Sequence, residues 1–371
     1  MGFGICLLGC ASENDIFPPA NTSLDPADLE LPNPIAIAVD PANSQIIVVN
    51  SNVDFFFEEG TLATLSVDAT DPNAPVLTAT AMVASPSFGG QIAFDGTEAY
   101  IPFRESPDDS DNDQVKKFTI GNGSIAETAT GTTGENPFGI ALSGSSVLVV
   151  SDDQLDIFNT DLASTAAVDL TVAEEADIDD ADSSYVEHVA VDTATNRAFI
   201  TNRLGKILVV DLDTNTVSHV IAGSLSSRGI AGDGTLLYIV DGDPPALWVY
   251  DPGRLTDPDT APEEVDDSEL VVAIIDLGES PNGIAVDTAN GRAYVANSDD
   301  RSVSVVDLTL FEEIDRISLK DDDTGFDEGK DPFGLAVGTF GGADLVFVAN
   351  FSSNTIAVIN ADTLEVVASF P

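Results

Sequence analysis

Residues 281–308 read PNGIAVDTANGRAYVANSDDRSVSVVDL and residues 332–360 read PFGLAVGTFGGADLVFVANFSSNTIAVIN, and the two stretches are copies of one unit. Weaker copies lie upstream in YVEHVAVDTATNRAFITNRLGKILVVDL (185–212) and NPFGIALSGSSVLVVSDDQLDIFN (136–159). Three more stand in NPIAIAVDPANSQIIVVN (33–50), GGQIAFDGTEAYIPF (89–103) and SRGIAGDGTLLYIVDGDPPALWVYD (227–251). Anchored on the alanine of the first apolar run, the seven copies fall at Ala38, Ala93, Ala141, Ala190, Ala231, Ala285 and Ala336. Self-similarity at such a period marks a repeat architecture.

Within a copy the apolar runs are short and β-branched, and Gly, Asn and Asp turns separate them. No stretch shows sustained apolar periodicity near 3.6 residues, which disfavours α-solenoids of similar repeat length. Four strands per repeat of about fifty residues is the pattern of a β-propeller blade. The expected fold is therefore all-β, a seven-bladed propeller over residues 33–371 with four antiparallel strands per blade. The last copy ends with its own fourth strand at Val366 to Phe370, so closure rests on packing of blade seven against blade one rather than on an exchanged strand.

The second-strand motifs AYVAN (293–297), AFITN (198–202), VFVAN (346–350) and IIVVN (46–50) resemble the signature of YVTN-family β-propeller repeat proteins. The pattern is degraded in AYIPF (99–103), VLVVS (147–151) and LYIVD (237–241). The resemblance implies the propeller fold, and secreted and surface-layer proteins of bacteria and archaea as company; similar seven-bladed folds occur in lactonases. It implies little chemistry, because function resides in sites carried on a fold.

The chain carries 64 Asp plus Glu against 13 Lys plus Arg, a net charge of −51. Nucleic-acid binding needs clustered cations, so that partner is excluded. With 43% hydrophobic residues the chain is no acidic disordered tail. Its two cysteines, Cys6 and Cys10, both lie in the first ten residues, leaving none for a disulfide or a thiolate zinc site in the repeats. Leu7-Leu8-Gly9-Cys10 resembles the lipobox of bacterial lipoproteins, with Cys10 the lipidation site. No Lys or Arg precedes it, so residues 1–9 read as a truncated signal whose start lies upstream. Residues 10–32 read as a flexible tether. The expected location is extracytoplasmic, on the cell envelope or cell surface, with the membrane touched only through the lipid anchor and the propeller monomeric.

Long insertions at 51–60, 104–114, 173–185 and 321–331 hold 20 of the 64 acids. In propeller topology these loops share one face, where a protein or polysaccharide partner is expected. Phe55-Phe56-Phe57 in the first of them is expected to plug the funnel. Asp109, Asp111 and Asp113 alternate as in a calcium loop, but the twelfth position is Ile120 and no Gly stands at the sixth, so any Ca²⁺ site there is irregular.

The repeated Asn50, Asn202, Asn297 and Asn350 end second strands, where an Asn side chain bonds turn backbone. Asp68, Asp211, Asp251 and Asp307 end third strands in the same way. The first strand of a blade lines the channel, so the pair of residues at its start faces one mouth. Those pairs are Ile35-Ala36, Gly90-Gln91, Phe138-Gly139, Glu187-His188, Arg228-Gly229, Asn282-Gly283 and Phe333-Gly334. Gln91, Glu187, His188, Arg228 and Asn282 form a mixed polar set of the kind that orients a small ligand. A non-catalytic binding or scaffold module is the first expectation. The alternative is a lactonase- or lyase-like enzyme using Glu187 and His188 as acid, base or metal ligands. His219 is expected on the surface of an outer strand.

Overall fold

The computed structural model describes residues 31–53, 59–104, 113–171, 186–202, 205–222, 226–258, 262–320 and 329–370. These form seven sheets of consecutive antiparallel strands arranged as a β-propeller. Blade one runs Pro34–Asp40, Gln45–Asn50, Gly60–Asp68 and Val76–Ser85, from the axis outward. Blade six runs Pro281–Asp287, Arg292–Asn297, Ser302–Asp307 and Glu312–Ser318, and blade seven ends with Glu365–Phe370. Among the described residues no helix is long and apolar enough to cross a membrane.

Burial follows the position of a strand in its blade. Second and third strands are covered on both faces by neighbouring blades, so Gln45–Asn50 and Thr355–Asn360 are buried throughout. That is why they read as continuous Val and Ile runs, each such side chain contributing roughly 1.5–3 kcal/mol on burial. Fourth strands face solvent on their outer side and alternate, as Ser124–Thr132 does. Among the described residues seven apolar clusters sit one to each interface between blades.

The cluster between blades seven and one closes the ring, with Ile46 and Val48 packed against Phe340 and Phe347. Polar contacts add to it: Asn33 N–H donates to Asn354 Oδ1 at 2.9 Å, and Asn360 Nδ2 donates to Pro72 O at 3.2 Å. Among the described residues each blade is built from its own stretch of sequence at the closure, as the order of runs implies.

The turn acids have a defined task. Asp307 Oδ1 accepts from the Thr309 and Leu310 amides at 2.8 and 2.9 Å, and Asp68 and Asp211 accept from following amides likewise. Those amide bonds hold the Asp307 and Asp68 carboxyls below the ordinary range. At the first hairpin, Asp192 and Asp287 accept from the amides two residues on, and the chain then turns through Asn196 and Gly291 at positive φ.

The repeated asparagines behave differently from expectation. Asn50, Asn297 and Asn350 bond not the turn backbone but hydroxyls on the third strand directly opposite: Thr61 at 2.9 Å, Ser302 at 3.0 Å and Thr355 at 3.1 Å. Each is buried in the sheet, so its nearest partner is the cross-strand side chain.

Blade four carries the largest departure. The segment joining the third and fourth strands of blade five returns to blade four and lays Glu263–Asp266 parallel to its outermost strand, Thr216–Ala222. His219 pairs with Glu263 in that register. The ring is thereby buried, at 1% exposure, which corrects its expected surface position. The sequence places it on an outer strand correctly, but a strap from the next blade covers it.

Candidate functional site at the channel mouth

The inner strands begin with a bulge. In blades four to seven the ladder pairs the first residue and then skips two: register breaks between Val186 and Val189, Ser227 and Ile230, Pro281 and Ile284, and Pro332 and Leu335. The skipped residues are Glu187-His188, Arg228-Gly229, Asn282-Gly283 and Phe333-Gly334, the pairs the repeat places at the mouth. Bulges free side chains from the pleat and re-aim them.

The glycines of these pairs are required by close packing. A Cβ on Gly229 would press into Asn282 O, one on Gly283 into Phe333 O, and one on Gly334 into Ile35 O. In blades five to seven each inner strand thus meets the carbonyl of the next blade with no room for a side chain. Blade four has His188 in this slot, and Thr201 answers for it. The Thr201 hydroxyl accepts from His188 N–H at 3.2 Å and donates to Arg228 O at 2.8 Å, bridging blades four and five.

The expected site residues fall into two bonded pairs. The Gln91 amide bonds His188 Nδ1 across the mouth from blade two to blade four. Arg228 Nη1 donates to Asn282 Oδ1 at 2.5 Å between blades five and six. Asn282 Nδ2 continues to Ser298 Oγ at 2.5 Å, and Ser298 Oγ donates to Pro332 O of blade seven at 2.9 Å. With Thr201 between the pairs, a hydrogen-bonded arc runs from blade two to blade seven. Glu187 lies on the inner strand Val186–Asp192, and its side chain is outside the described residues.

Two aromatic rings complete the layer. Phe138 of blade three meets Phe333 of blade seven edge to face at 6.3 Å, and the His188 ring at 5.4 Å. Side chains from opposite sides of the ring therefore touch near the axis. Phe55, Phe56 and Phe57, the expected plug, lie outside the described residues. Thr201, Ser298 and the Phe138–Phe333 contact were not picked out from the sequence, although Thr201 stands where blades six and seven carry Ala296 and Ala349.

The candidate calcium loop is divided. Asp109 and Asp111 lie outside the described residues, as does Cys10. Asp113 is buried, and its carboxylate accepts from the Asn136 amide at 2.6 Å, tying blade two to the loop entering blade three. Asp156 serves the same loop through the Gly134 amide at 2.8 Å, and burial pushes its carboxyl above the ordinary range. No group of three or more metal-ligating side chains converges among the described residues.

No protein-family model matches this chain, and no curated protein matches it. Among solved structures it is similar to a chain of Kuenenia stuttgartiensis hydrazine synthase, with a TM-score of 0.63 and 16% sequence identity over 90% of this chain and 97% of that one. The likeness is one of fold. This chain is a seven-bladed β-propeller. At that identity neither activity nor partners carry over.

Proposed function

We propose that this propeller is a non-catalytic binding and scaffold module, working outside the cytoplasm on a lipid anchor at Cys10, with its ligand end at the polar mouth of the channel. The observation that carries the reading is the arc from Gln91 and His188 through Thr201 to Arg228, Asn282 and Ser298, set beside Phe138 and Phe333. Amide, guanidinium and hydroxyl groups beside aromatic faces suit a small polar ligand with an apolar side. Blade four sets His188 where blades five to seven pack Gly229, Gly283 and Gly334 against the next blade, and such departures from local rules concentrate at functional positions.

The acidic insertions are read as the partner face, where a protein or polysaccharide docks and Ca²⁺ is the candidate ion. The YVTN-like second strands and the lipobox-like Leu7 to Cys10 support a secreted, surface-held protein. The lactonase-like alternative needs His188 poised over an open site, whereas its Nδ1 is held by Gln91 and its ring by Phe138. Native mass spectrometry of the full chain purified from its own envelope tests the reading, alongside an Arg228→Ala, Asn282→Ala variant and a chelator-treated sample. A small molecule carried by the wild type and lost from the variant is the expected result. Equal retention by both proteins would move the ligand site elsewhere.

A further inference from the structure

The strap from blade five bonds to blade four at three points besides its strand pairing. His219 Nε2 meets Thr256 O at 2.9 Å, Arg197 Nη1 donates to Leu255 O at 3.4 Å, and Arg197 Nη2 pairs with Asp257 at 3.1 Å. Leu255 and Leu270 pack into the apolar cluster between blades four and five. The base of the strap is pinned separately, because Arg254 bonds Asp251 at 3.2 Å and the carbonyls of Glu269 and Val271.

A carbonyl accepts only, so Nε2 carries the proton. Nδ1 faces Ser218 Oγ at 3.0 Å, and that hydroxyl can also turn to Val209 O at 3.1 Å. Ser218 can therefore accept or donate, and it does not decide the charge state of the ring. The surroundings do. Arg197, from the second strand of blade four, and Glu263 and Asp257, from the strap, are the charged groups acting on the ring, while its partner on the third strand is the apolar Val209. A proton on Nδ1 would bury a second cation beside the Arg197 guanidinium.

We propose that the two strap stretches Leu255–Asp257 and Glu263–Asp266 form an acid-released clasp on the edge of blade four, with His219 as the group whose protonation opens it. Burial, followed by Arg197, holds the ring below the ordinary histidine value; the Thr256 carbonyl, Glu263 and Asp257 oppose this without reversing it. The closed clasp thus binds the proton more weakly than the open one. Closure is at full strength above an ordinary pKa of about 6.5 and is lost as the pH falls below it. Release exposes the hydrogen-bonding edge of Thr216–Ala222 while Arg254 keeps the strap tethered.

Hydrogen exchange of the full chain, read on peptides covering 216–222 and 262–270 and corrected for intrinsic rates, tests the clasp. Opening should rise between pH 7.5 and 5.5, with about tenfold as the ceiling set by an open-state ring of ordinary pKa, in a window where ordinary carboxylates stay charged. His219→Gln keeps a donor for Thr256 O and cannot titrate, so its opening should stay flat. A flat wild type, or the same rise in His219→Gln, overturns the proposal. Should that variant not fold, the wild-type ring titration by NMR decides, with only two histidines to assign. A midpoint below about 6.5 supports the clasp, and one at or above it refutes it.

Discussion

Blade six and blade four start from the same repeat and solve its two boundaries differently. At the channel, blade six sets Gly283 against Phe333 O, whereas blade four sets His188 and bridges the gap with the Thr201 hydroxyl. At the rim, no strand among the described residues pairs with the outer edge of Glu312–Ser318 in blade six, which has an exposed Ile314, whereas blade four is covered by Glu263–Asp266 over a buried His219. The interior strands of both, Arg292–Asn297 and Arg197–Asn202, keep the same register and the same apolar pattern. Repetition fixes the middle of a blade, where both faces are buried, and leaves freedom at its two ends. Both histidines of the chain occupy those ends of blade four.

The contrast at the channel gives the largest expected effect. Gly283→Ala forces a Cβ into a neighbouring carbonyl and should cost about 3 kcal/mol in denaturant unfolding, because the obstacle is backbone and cannot swing away. An unchanged midpoint would show that the inner strands have room to spare. In blade four, Thr201→Val keeps the shape and removes the bonds to His188 N–H and Arg228 O, with an expected loss of about 2 kcal/mol. Combining it with His188→Ala should cost less than the two single changes summed, since the hydroxyl bridges what both remove.

Smaller effects belong to the shared frame and the open rim. Asn297→Ala breaks bonds to Ser302 and Ser304 at 3.0 and 2.9 Å but also removes a buried carbonyl oxygen with no partner. The net loss should be about 1 kcal/mol, measured by thermal unfolding. Ile314→Lys on the open edge of blade six should change stability by less than about 0.5 kcal/mol. A large loss there would mean that this edge is covered in solution as the edge of blade four is.

The frame was legible because it is written in repeated apolar runs: the Ala285 and Ala336 anchors, the Asn-ended second strands and the Asp-ended third strands each locate a strand end. Closure without strand exchange followed from the order of runs alone. The mouth was legible in part, since Gln91 and His188 stand out where four other blades carry Gly and blade one carries Ala36. Their mutual bond was not, because it spans three blades that the sequence separates by 97 residues. The strap was illegible for a physical reason. Glu263-Glu264-Val265-Asp266 is too acidic to read as a strand, and what holds it is backbone pairing with an edge that lies far from it in sequence. His219 could not be seen as buried without that strap. Asn50, Asn297 and Asn350 depart from turn chemistry because their position stays inside the ladder, where the cross-strand hydroxyl is the nearest partner.

The central claim is that Gln91, His188, Arg228 and Asn282 serve a ligand rather than the frame. Saturation-transfer NMR measures this directly, with a mixture of monosaccharides, hydroxy acids and amino acids offered to the wild type and to the Arg228→Ala, Asn282→Ala variant. The expected result is at least one compound that binds the wild type and loses its signal with the variant, while both proteins retain the same β-sheet circular dichroism. Binding of equal strength to both proteins, or no binding to either, would contradict the claim and return these residues to the frame.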